Sequence, residues 1–199
     1  MFMFFSKKER LSIEETCVKK DLTASDNKVL VKINLRAPDI KCASKKDPLL
    51  RHAKPFYDSL VSTLLACAEN EIFKAATAKF SADPDARPAA AVMNWRITYL
   101  SDKYASFITD ISVSDGANAE FRRRTQIWDR ASGQRVTFSF LPEKARLAAK
   151  RALYPEGKAK DPETFALCEE GIEFFAPDGG RDPGTVLTFE TLGLDPKDF

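Results

Sequence analysis

The chain has a single histidine, His52, two tryptophans, and four cysteines, Cys17, Cys42, Cys67 and Cys168, no two of which form a C-x-x-C pair. Structural zinc needs several His or Cys at short spacing, so a metal site is not expected, and the thiols read as buried or incidental residues of a reducing compartment. Apolar runs are short. None approaches the roughly 18 residues that suggest a membrane span. The opening M-F-M-F-F precedes Lys7-Lys8, the reverse of a signal peptide's order. As written, the chain is expected to be cytoplasmic, or extracytoplasmic if a leader or anchor has been removed. Charge of one sign is also missing: 31 basic against 29 acidic residues leave +2, too even for nucleic-acid binding driven by bulk electrostatics. The sequence lacks G-x-x-x-x-G-K-[ST], G-x-G-x-x-G and G-x-S-x-G, so no nucleotide cofactor and no serine-hydrolase elbow is expected.

What is present is a stretch of alternation between Val92 and Leu141. Met93, Trp95, Ile97 and Tyr99 alternate with Asn94, Arg96 and Thr98, the period of two of a half-buried strand. A second strand carries Phe107, Ile111 and Val113, a third Phe121, Thr125 and Ile127, and a fourth Val136, Phe138 and Phe140. Turn chemistry separates them at Ser101-Asp102-Lys103, Ser114-Asp115-Gly116 and Asp129 to Gly133. Upstream, Leu11 to Lys19 and Lys28 to Arg36 read as strands, with Val29, Val31, Ile33 and Leu35 on one face and Pro38 as terminator. A charged loop follows. Pro55 then opens a helix reaching about Phe80, its stripe formed by Leu60, Leu64, Ala68, Ile72 and Ala75.

Past the meander, Pro142-Glu143 starts a helix to 154. Asp161 caps a third through Cys168, with Pro162 at its first position and Glu163 behind it. G-I-E-F-F-A is a strand, P-D-G-G a turn, and G-T-V-L-T-F-E a final strand. At 199 residues, the expectation is a flexible N-terminus over 1–10 and one α+β domain over 11–199. That domain has an N-terminal part, 11–90, and a meander with C-terminal helices and hairpin, 91–199. The fold class is a mostly antiparallel sheet with one long helix and shorter helices packed on it in two layers.

Several short patterns together resemble one bacterial family. They are the apolar-Ser pair in Ala105-Ser106-Phe107, the turn Gly116-Ala117, D-R-A-S-G-Q at 129–134, and the glycine before the phenylalanine-rich I-E-F-F-A. The family, first catalogued as a domain of unknown function, forms the extracytoplasmic region of the lysozyme-sensing anti-sigma factor and accessory domains of some peptidoglycan deacetylases. Where that family often has His after Gly-Ala, this chain has Asn118. Sigma-binding and deacetylase segments have no counterpart in the sequence. The resemblance therefore implies a stand-alone, non-catalytic binding or sensing module. Its partner would be a protein, lysozyme-like by family analogy, or alternatively cell-wall glycan.

On the third meander strand Arg122, Arg124, Gln126 and Trp128 share one face. A solvent-facing Trp beside arginines could stack on a sugar or anchor a protein partner, so these four are the candidate binding residues; the plain alternative is a solvated sheet face with Trp128 covered by a helix or loop. Arg123 falls among apolar neighbours, at a sheet edge or against a carboxylate. His52 reads as an exposed residue of a basic loop, with no nucleophile to activate. Asp110, Asp115, Glu120 and Asp129 are the acids nearest the turns. Two of them could flank a glycosidic bond, but Asp115 and Asp129 occupy positions where a carboxylate caps its own turn.

Overall fold

A computed structural model describes residues 11–42, 46–154, 161–162, 164–175 and 183–199. The flexible end expected over 1–10 and the turn at 177–180 lie outside the described residues, as do Glu163, residues 155–160 and part of the charged loop before the long helix, 43–45. The fold is α+β. Five strands form one sheet in the order β1-β2-β3-β4-β5, and three more form a second, β6-β7-β8. The chain divides into two compact units, Met1–Trp95 with Thr109–Arg122 and Arg96–Ile108 with Arg123–Phe199. The strands β3 (Ala89–Leu100), β4 (Tyr104–Ser114) and β5 (Ala119–Asp129) each supply residues to both.

In the first unit, β1 (Leu11–Thr23) and β2 (Val29–Cys42) make a long antiparallel hairpin. Its turn places Asn27 at φ 65°, a left-handed position that asparagine tolerates. The strand does not stop at Pro38, which is paired with Glu15. Strand β2 joins β3 in parallel only over Val31–Leu35. Among the described residues no strand pairs with that side of β2 beyond Leu35, so a missing N–H there breaks no ladder.

The helix begins earlier than its apolar stripe, at α1 (Pro48–Cys67). The Asp47 carboxylate accepts hydrogen bonds from the Leu49 and Leu50 N–H groups, and Pro48 stands where no N–H is needed. Pro55 lies inside the helix, and His52 is an exposed helical residue, not a loop residue. A π-helical turn, Ala68–Ile72, leads into α2 (Phe73–Ala82). Such a turn holds one extra residue, which advances the buried stripe from the expected Ala75 to Ala76. The helical segment packs on β2, and Leu64, Ala68, Ile72 and Ala76 meet Val31, Ile33 and Leu35 in a core that Met93 and Ile111 complete.

The second unit has its own core, in which Phe138, Phe165 and Phe174 lie 6.0–6.2 Å apart between ring centroids. Two expected elements are different here. The fourth meander strand shrinks to one bridge, Trp128 with Arg135, followed by a 3₁₀ turn at Phe138–Phe140. There the Phe140 N–H bonds the Thr137 carbonyl and the Thr137 hydroxyl meets that of Ser139. These local bonds replace a ladder, burying Phe138 and leaving Phe140 exposed. The helix α3 (Glu143–Leu153) forms as expected.

The third expected helix is instead β6 (Phe165–Cys168), paired antiparallel with β7 (Gly171–Phe174). Phe165, Ala166 and Leu167 are consecutively buried, which a strand covered on both faces permits. The last strand, β8 (Thr185–Thr188), runs into a one-turn helix, α4 (Phe189–Leu192).

Candidate binding residues on the meander

The motifs that carried the resemblance prove to hold the fold. The Ser106 hydroxyl accepts the Leu167 N–H at 3.0 Å and meets the Thr98 hydroxyl at 2.9 Å. Thr125 Oγ1 accepts the Phe165 N–H at 3.1 Å. Two side-chain hydroxyls thus satisfy alternate N–H groups on the free edge of β6, which no ninth strand covers among the described residues.

At the β4–β5 turn, the Asp115 carboxylate accepts the Asn118 and Ala117 N–H groups at 2.7 and 2.8 Å. Those bonds, with Lys79 nearby, hold its carboxyl below the ordinary 3.8. Gly116 has φ +90°, and a Cβ there would lie 2.2 Å from the Arg87 carbonyl oxygen. Asp129 likewise caps Ala131 and Ser132, both at 2.8 Å, with Gly133 at φ 71° closing the turn. Arg130 ties that turn to the preceding hairpin through the Ser101 carbonyl at 2.5 Å.

Of the four candidate binding residues, the structure leaves two in solvent. Arg122 and Arg124 are exposed; Gln126 is 3% and Trp128 4% exposed. Period-two alternation places them on one face, but from Thr125 to Trp128 the strand is covered on both faces. Trp128 is therefore covered, as the plain alternative has it, and offers no solvent-facing stacking platform. Arg122 is forked onto Glu120, with Nε 2.9 Å and Nη2 2.5 Å from the same oxygen, both side chains 64% exposed. Arg123 lies 4.9 Å over the Phe175 ring, a cation–π contact that suits its apolar surroundings.

No group of three or more His, Cys, Asp or Glu among the described residues is arranged to hold a metal ion. Cys17 is exposed, while Cys42, Cys67 and Cys168 are half-buried. Burial, foremost, pushes the Cys67 and Cys168 thiols up, away from the nucleophilic thiolate. An indentation lined by Leu30, Lys79, Phe80, Arg87 and Asp115 has an interior volume of about 10 Å³, on the order of one water molecule. No helix among the described residues is long and apolar enough to cross a membrane.

Sequence reasoning missed the roles of Ser106 and Thr125, because nothing local marks a strand hydroxyl as the acceptor for a distant edge. It also missed an order of charge in β1, whose meaning appears only once that strand is known to be an edge.

No family model and no curated protein matches the chain. Among solved structures it is similar to a DUF3298-family protein of Bacteroides fragilis, with a TM-score of 0.64 at 10% identity, covering 94% of each chain. It is similar also to a DUF3298-family protein of Pseudomonas aeruginosa PAO1, with a TM-score of 0.54 at 13% identity, covering 93% of this chain and 92% of that one. Likeness at such identity is likeness of fold: the chain has the fold of bacterial proteins assigned to a domain of unknown function.

Proposed function

We propose that the protein is a non-catalytic binding or sensing module, and that the exposed arginines of β5 meet a protein partner, lysozyme-like by the resemblance of its motifs. The observation that carries this reading is the division of labour along the meander. Asp115, Gly116, Asp129 and Ser106 are each committed to a turn or a strand edge. Arg122 and Arg124 remain in solvent, two residues apart on one strand. Arginine is enriched among residues that dominate protein interfaces, because its planar fork makes several hydrogen bonds at once. The same division weakens an enzymatic reading, since the turn carboxylates are already engaged by backbone N–H groups. The glycan alternative rested on Trp128 as a stacking surface, and at 4% exposure that surface is not offered.

The test is surface plasmon resonance of the full chain over immobilised lysozyme, with Arg122→Ala/Arg124→Ala alongside. Saturable binding that weakens about tenfold or more in the double variant is the expected result. No binding by the wild type rejects the lysozyme-like partner, and equal binding by the double variant rejects the arginine face.

A further inference from the structure

Strand β1 is the first strand of its sheet and pairs along one side only, with β2. Among the described residues no strand covers its other side. A strand of 13 residues with open N–H and C=O groups is a template for another chain, which proteins usually discourage with charged side chains, prolines or bulges. This strand contains neither proline nor glycine, its one register irregularity lies at its far end, between Leu22 and Thr23, and its charges are of both signs. Its centre reads Glu14-Glu15-Thr16-Cys17-Val18-Lys19-Lys20. Two acids precede and two bases follow Cys17 at equal distances, and Cys17 is the midpoint of Leu11–Thr23. Glu14 to Cys17 and Lys19 to Asp21 are all exposed.

We propose that β1 is a homodimerisation edge, at which a second copy of this chain adds antiparallel with Cys17 on the two-fold axis. In that register Cys17 faces itself once, on the axis, while Thr16 faces Val18, Glu15 faces Lys19 and Glu14 faces Lys20, each of these three pairs occurring twice by symmetry. Glu15, Cys17 and Lys19 lie on one face of the strand, Glu14, Thr16 and Lys20 on the other, so both faces carry complementary pairs.

The charges also reject the alternatives. Parallel addition in register sets Glu14 and Glu15 against their own copies, which is repulsive. Moving the axis to Thr16 leaves no acid opposite a base. Moving it to Val18 sets Glu15 against Asp21. Within one copy, Glu14 reaches Lys41 at 2.5 Å and Lys20 reaches Glu69 at 2.5 Å, both pairs partly in solvent. Glu15 is only loosely engaged, 3.9 Å from Arg36, and Lys19 has no ion-pair partner among the described residues. The Glu15–Lys19 pair is therefore the one that a second copy would complete.

The experiment is sedimentation equilibrium of the full chain, of Glu15→Lys, of Lys19→Glu, and of the two variants mixed in equal amounts. The wild type is expected to dimerise with concentration. Each variant alone turns both Glu15–Lys19 contacts repulsive and should dimerise roughly tenfold more weakly or worse. In the mixture every contact is again between opposite charges, so dimerisation should return to near the wild-type level; this recovery also shows that both variants are folded. A wild type that stays monomeric throughout, variants that dimerise as well as the wild type, or a mixture that stays monomeric each overturns the proposal.

Discussion

Ser106 is fully buried, and its hydroxyl is the acceptor for the Leu167 N–H. Ser106→Ala removes the acceptor and leaves that N–H buried without a partner, a change that costs about 1–3 kcal/mol. Urea denaturation should show that loss with little change in the slope; a variant as stable as the wild type would mean that the edge of β6 finds another acceptor. Asp115 makes a prediction in pH. The Asn118 and Ala117 N–H groups, in that order, stabilise its carboxylate and lower its pKa from 3.8. The unfolded chain therefore takes up this proton at a higher pH than the folded one does. The contribution is complete above about 3.8 and is lost as pH falls through the lower folded value. Thermal melts of the wild type and Asp115→Asn should differ most at about pH 5 and converge towards about pH 2. A constant difference would remove the carboxylate's charge from the explanation.

Elements with strong internal periodicity were legible in the sequence: β2 to β5, the long helix and α3 all stand near their expected positions. The failures have physical causes. Asp47-Pro48 and Asp161-Pro162 are the same helix-start signal. The first caps α1, whereas the second precedes a strand whose N–H groups at Phe165 and Leu167 are taken by the hydroxyls of Thr125 and Ser106. A four-residue apolar run carries no period of its own, so distant partners decide it. At Val136, Phe138 and Phe140, alternation was present but the local Thr137 bonds won. The candidate site was half legible for a related reason. Alternation tells which face a residue takes, not how much of that face is covered, so Arg122 and Arg124 emerged as exposed and Gln126 and Trp128 did not.

At the scale of the whole molecule the charge is nearly balanced, +2 over 199 residues. Two copies approaching each other therefore meet little long-range repulsion, and local order of charge decides how they associate. The β1 edge has such order, with acids on one side of Cys17 and bases on the other. Its contribution is electrostatic and in solvent, and so must be screened by salt. Raising ionic strength from about 0.01 M to about 1 M shortens the screening length from roughly 30 to roughly 3 Å. Dimerisation through β1 should weaken steadily over that range without vanishing, since the main-chain hydrogen bonds between the two edges do not depend on net charge. Lys19→Glu, in which two repulsive contacts offset the two Glu14–Lys20 contacts, should lose most of that slope. Sedimentation equilibrium across the salt series reads both slopes. Association of the wild type that strengthens with salt would identify an apolar contact elsewhere on the surface, such as one made by the exposed Phe140 or Leu147, and would take β1 out of the interface.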